Sequence, residues 1–112
     1  MKKEIIIAFD IDWTLRNNQK EYWVGNAIWA IPNEEIRTLL ITFSKFKNVR
    51  CHIWSWGGKA YAQDIRRKFN LEKYVREDDC HWKSDWTIVP HIAIDDIHSC
   101  ELGKINLIVR QK

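Results

Sequence analysis

Glycine and proline are scarce: four glycines and two prolines in 112 residues. That excludes a collagen-like or Pro/Gly-rich low-complexity chain, and it leaves no flexible Gly/Ser linker to divide the chain into domains. No internal repeat and no long hydrophobic run is present. The apolar run nearest the start, Ile5 to Phe9, is five residues long and stops at Asp10. A secretory signal needs roughly seven to fifteen apolar residues and a spanning helix about twenty. A cytoplasmic protein without a membrane partner is therefore expected. Cysteine is also sparse. Cys51, Cys80 and Cys100 are odd in number and far apart, which argues against a disulfide framework and suits reduced thiols. They occur as Cys51-His52, Cys80-His81 and His98-x-Cys100, without the close Cys pairs of a structural zinc site. Adjacent residues on a strand also point to opposite faces, so zinc is not expected here.

What is present is a composition 46% hydrophobic and 29% charged, with net charge +3. It supports one domain, residues 1–112, with one core and a solvated, slightly basic surface. Ile5-Ile-Ile-Ala-Phe9 reads as a strand covered on both faces. Residues 15–31, with Asn17-Asn18, Gly25 and several aromatics, read as a flap or hairpin excursion. Pro32-Asn33-Glu34-Glu35 reads as a helix start capped by Asn33, followed by Ile36, Leu39, Leu40, Phe43 and Phe46 at helical spacing. Val49, Cys51 and Ile53 alternate as in a strand. Gly57-Gly58 opens a second helix with the stripe Tyr61, Ala62, Ile65 and Phe69, ending near Asn70. An irregular segment follows. Ile92 to Ile94 and Ile105 to Val109 are the last clear strands, with a short helix between them. Strands alternating with helices predict an α/β fold: a Rossmann-like three-layer sandwich. It would have a central, mostly parallel sheet of about five strands, helices on both faces and no cap domain. Ligands of such sheets bind beyond the carboxyl ends of the strands.

Three predicted strands end at residues able to do chemistry. Asp10-Ile11-Asp12-Trp13-Thr14 leaves the first; one carboxylate can attack phosphorus while the other moves a proton. Ser55 ends the second, before Trp56-Gly57-Gly58; a hydroxyl and free N–H groups at a helix start bind anions, although an ordinary Ser cap looks the same. Asp95-Asp96 ends the strand Ile92-Ala93-Ile94. Paired carboxylates there repel unless protonated or shared by a hard cation such as Mg²⁺, although a solvated turn has the same sequence. Lys83, in His81-Trp82-Lys83-Ser84, could neutralise charge on a transferring phosphoryl group, a role that depends wholly on its neighbours.

Taken together, these motifs resemble the haloacid dehalogenase superfamily. Its order is Asp-x-Asp-x-Thr after strand one, Ser or Thr after strand two, a Lys, then an acidic pair. The resemblance runs from Ile5 to about Val109. It implies a Mg²⁺-dependent phosphatase acting through an aspartyl-phosphate. Asp10 would be nucleophile and metal ligand. Asp12 would be general acid/base and offer its backbone carbonyl to the metal, and Thr14 would support the loop. Ser55 and the N–H groups of Trp56 and Gly57 would hold phosphate oxygens together with Lys83. Asp96 would bind the metal directly and Asp95 through water. Trp13 departs from the family's commonest residue, Gly. Lys59 is a second candidate for the Lys, but Lys83 fits the order better.

The chain has room for a flap after Thr14 and for one helix between Ser55 and Lys83, so it resembles a capless member. Such members act on large phosphorylated substrates, nucleic acid or protein, or cover the open site with a neighbouring subunit of a homo-oligomer. Seven tryptophans are an excess. Trp13, Trp54, Trp56 and Trp82 neighbour proposed site residues, and Trp23 and Trp29 lie in the flap. Most are expected to fill core or interface, with base stacking open for Trp13 and Trp56. Rival readings are a non-catalytic module of the same fold and a nucleic-acid-binding protein with incidental carboxylates. A phosphoacceptor signalling domain is a third, but its acidic pair would follow the first strand.

Overall fold

A computed structural model describes residues 3–17, 25–84, 89–96 and 102–111. Its elements are β1 (Ile5–Asp10), α1 (Glu34–Ser44), β2 (Val49–Ser55), α2 (Lys59–Lys68), β3 (Cys80–Trp82), β4 (Ile92–Asp95) and β5 (Ile105–Ile108). The five strands form one parallel sheet in the order β3-β2-β1-β4-β5. This is the predicted Rossmann-like α/β architecture without a cap, with β1 at the centre. Among the described residues, no helix is long and apolar enough to cross a membrane.

Alternation along the strands sorts the core. Ile7, Phe9, Cys51, Ile53 and Ile94 share one cluster with Leu40 of α1 and with Tyr61, Ala62 and Ile65 of α2. Both helices therefore pack on the same side of the sheet; the helical layer expected on the other face is not found among the described residues. Each fully buried Ile, Leu or Phe contributes about 1.5–3 kcal/mol. Ala8, Trp54 and Ala93 point the other way, with Leu102 packed against them. The short helix predicted between β4 and β5 lies outside the described residues, as do Trp23, His98 and Cys100.

Helix α2 runs to Lys68 with Phe69 as its C-cap, two residues short of the predicted end at Asn70. Asn70 has a left-handed φ of 54. Its N–H donates to Arg67 O (3.1 Å) and the Leu71 N–H to Arg66 O (2.9 Å), which satisfies the last carbonyls. Three local expectations change. The Asn33 carboxamide makes no side-chain cap; it donates to Thr14 O at 3.1 Å and ties the start of α1 to the turn after β1. Phe46 falls beyond the end of α1 and is exposed. The segment read as irregular contains β3, which pairs with the open edge of β2. At the base of the excursion, the Asn17 N–H donates to Ile31 O and the Asn33 N–H to Leu15 O, each at 2.7 Å. These bonds are antiparallel rungs, as a hairpin requires; residues 18–24 of the excursion lie outside the described residues.

Candidate active site

Register gathers the sequence-predicted residues. Phe9 pairs with Ile94, which sets Asp10 level with Asp95 on the neighbouring strand. Ser55 pairs with Trp82, so Lys83 leaves β3 beside the end of β2, its N–H donating to Ser55 O at 3.1 Å. Side chains alternate across a strand, so Ala8 and Asp10 point to the same face of the sheet, as do Ala93 and Asp95.

Lys83 is the hub. Its ammonium lies 2.8 Å from Asp10 Oδ1 and 2.7 Å from Asp95 Oδ2, with all three side chains buried. It also sits 5.9 Å from the Trp54 ring and 5.7 Å from the Trp56 ring, within cation–π range. Lys59, at the exposed start of α2, has no such place. Thr14 Oγ1 donates to Asp10 Oδ2 at 3.1 Å, and the Asp96 N–H to Asp95 Oδ1 at 2.7 Å. Burial pushes the Asp10 carboxyl well above the usual carboxylate range, and the negative charges of Asp95 and Asp96 add to it against the pull of Lys83. Asp96 is raised by burial and by hydrogen bonding with Asp95. Burial alone would lower Lys83, but its contacts with Asp10 and Asp95 outweigh that and raise it.

Asp10, Asp95 and Asp96 offer ligand oxygens within 4.8 Å of one another. Three carboxylates against one ammonium leave two negative charges, and every donor is a hard oxygen. That donor set fits Mg²⁺.

Asp12 sits in a wide turn, Ile11–Leu15, closed by the Arg16 N–H on Ile11 O at 2.8 Å. Its Oδ1 accepts from the Tyr61 hydroxyl at 2.7 Å and its Oδ2 from Ser55 Oγ at 3.3 Å. Tyr61 in turn accepts from Arg16 Nη1 at 3.0 Å, and the same nitrogen donates to Asn26 O at 2.8 Å. Sequence reasoning missed both residues. Tyr61 read as one position of an apolar stripe. Arg16 carried one usable signal, a cation directly after Leu15 at the base of the excursion, and it is almost wholly buried.

The expected phosphate loop is arranged differently from a set of free donors. The Gly57 N–H donates to Ser55 Oγ at 2.9 Å, and the Gly58 N–H to Ser55 O at 3.4 Å. Trp56 is half exposed beside it. Gly57 is also tightly enclosed: a Cβ there would lie 2.7 Å from the Tyr61 ring and 3.1 Å from Gly25 N. Gly57→Ala is expected to cost about 1–3 kcal/mol by overpacking, read as a lowered midpoint of denaturant unfolding. An unchanged midpoint would contradict this packing. Trp13 adopts φ 67, a left-handed conformation in which Gly carries no penalty and Trp carries about 1–2 kcal/mol. Trp13 is 44% exposed, and Trp56 and Trp82 are 54% and 41% exposed.

A second group able to hold a metal among the described residues is His52, Asp79 and His81. Arg50 already binds both Asp79 oxygens, Nε to Oδ2 at 2.7 Å and Nη2 to Oδ1 at 2.6 Å. His52 Nδ1 and His81 Nε2 are 2.8 Å apart and share one hydrogen bond. Burial pushes His52 down to about 4 and also lowers His81, so both rings are neutral at pH 7. The thiols stay out of this group. Burial raises Cys51 and Cys80 to about 12, and Cys51 lies in the core on the helix side of the sheet.

Comparison with protein-family models, with curated proteins and with solved structures finds no match to this chain.

Proposed function

We propose that the chain is a Mg²⁺-dependent phosphohydrolase of the haloacid dehalogenase type, working through an aspartyl-phosphate on Asp10. The observation that carries the reading is the buried Asp10 carboxylate at the end of β1. It lies between Thr14 and Lys83 and level with Asp95, with a second carboxylate, Asp12, two residues on.

In this reading an Asp10 oxygen attacks phosphorus and the bond to the leaving oxygen breaks, while Asp12 gives that oxygen a proton. Asp12 then takes a proton from water. The water oxygen attacks phosphorus, and the bond to Asp10 breaks to release phosphate. Lys83 neutralises charge on the phosphoryl oxygens. Ser55 and the N–H groups of Trp56 and Gly57 bind those oxygens once the Gly57 N–H exchanges Ser55 Oγ for phosphate. Asp10, Asp96 and the Asp12 carbonyl would hold Mg²⁺, with Asp95 acting through water. When bound, the ion supplies further charge neutralisation on the phosphoryl group. The commitment of Asp95 to Lys83 and to the Asp96 N–H supports giving Asp96 the direct role.

The substrate class is a large phosphorylated molecule, nucleic acid or protein. The absence of a cap domain among the described residues and the exposed Trp13, Trp56 and Trp82 support this, each tryptophan standing next in sequence to Asp12, Ser55 or Lys83. Release of phosphate from p-nitrophenyl phosphate is expected with Mg²⁺ and is expected to fall to background with EDTA. A phosphorylated oligonucleotide or phosphopeptide is expected to react faster than this aryl ester, and slower reaction of both would remove the large-substrate class. Mg²⁺ binding without turnover of any ester would favour the second reading, a non-catalytic module of the same fold.

A further inference from the structure

We infer that Tyr61, held by Arg16, is a positioning residue that fixes the Asp12 carboxyl for proton transfer to the leaving group. The inference rests on the phosphatase reading and adds to it two residues outside its motifs.

Hydrogen-bond direction runs from Arg16 through Tyr61 to Asp12. A guanidinium only donates, and Arg16 Nη1 donates to the Tyr61 oxygen at 3.0 Å. The phenol has one hydrogen, and it points to Asp12 Oδ1 at 2.7 Å. Ser55 Oγ, the other donor on Asp12, is the group expected to turn toward phosphate. When it does, Tyr61 keeps Asp12 from swinging.

The support behind Tyr61 is rigid. Tyr61 is 2% exposed on α2, next to the fully buried Ala62 and one turn from the fully buried Ile65. Arg16 is 1% exposed, with its nitrogen also bonded to Asn26 O. Burying a guanidinium is costly, and an apolar pair would fill the same space at lower cost. A purely structural role therefore leaves the choice of Arg and Tyr unexplained. A general acid, by contrast, must lie within hydrogen-bond reach of the oxygen it protonates, so a donor that sets its position is useful.

The test uses leaving groups. p-Nitrophenolate departs with little need of a proton, whereas phenolate departs poorly without one. kcat/KM covers the steps through transfer to Asp10. Tyr61→Phe is expected to lower kcat/KM for phenyl phosphate about tenfold more than for p-nitrophenyl phosphate. Arg16→Gln, which leaves the phenol in place, is expected to show the same bias at smaller size, and it carries the test should Tyr61→Phe fail to fold. Equal losses on the two esters, or none, would overturn the inference, because a structural defect does not distinguish leaving groups. A wild type that hydrolyses neither ester, and no phosphorylated oligonucleotide or phosphopeptide, would sink the phosphatase reading separately. The positioning role would then be read from a crystal structure of Tyr61→Phe, where an Asp12 side chain unmoved from its wild-type rotamer would overturn it.

Discussion

Asp10→Asn is expected to lower kcat for p-nitrophenyl phosphate by about 10⁴-fold or more, since removal of a covalent nucleophile leaves only binding and electrostatic contributions. The same substitution is expected to leave the unfolding midpoint in EDTA unchanged or higher. The reason is the charge count around Lys83. Asp10, Asp95 and Asp96 place three carboxylates against one ammonium, in a place where burial disfavours the charged form of Asp10. Asn removes one of those charges and keeps the shape. Its carbonyl can still face Lys83, and its NH₂ can donate to Thr14 Oγ1. Turnover surviving in Asp10→Asn would end the nucleophile assignment. A large fall in the midpoint would contradict the charge argument instead, so the two claims fail separately.

Lys83→Met is expected to have the opposite stability signature. It removes the cation bonded to both Asp10 and Asp95 and leaves buried carboxylates without compensation. Breaking a buried pair from one side costs about 3–5 kcal/mol, a large share of a typical domain's stability. Activity is expected to fall as well, because the phosphoryl oxygens lose their nearest cation. The double variant Asp10→Asn/Lys83→Met is expected to recover part of the lost stability, since it carries one uncompensated carboxylate fewer. Denaturant unfolding of the four proteins in EDTA measures this as a coupling energy. Strict additivity would show that Asp10 and Lys83 do not interact as their 2.8 Å separation requires.

Much of the fold was legible because it is written locally. The continuous run Ile5 to Phe9 and the alternation from Val49 to Ile53 became strands, and Tyr61, Ala62, Ile65 and Phe69 became the buried stripe of α2. β3 was not legible. Three residues, Cys80 to Trp82, are too short to show alternation, and they become a strand because the edge of β2 presents unpaired backbone groups. The Asn33 cap failed for a related reason: a carboxamide that can serve its own helix can also reach Thr14 O across the base of the excursion.

For the candidate site, sequence by itself determined which chemical groups stand at the ends of which strands: Asp10 and Asp12 after the first, Ser55 after the second, Asp95-Asp96 late, and a lysine between. These are facts of order and local period, carried by neighbours along the chain. Only the tertiary structure decided that Lys83 rather than Lys59 lies between two carboxylates. It likewise decided that Asp10 stands level with Asp95, and that Arg16 holds Tyr61 while Tyr61 reaches Asp12. Those distances follow from strand order, register and helix placement. The groups involved lie 12 to 85 residues apart, beyond the reach of any local periodicity.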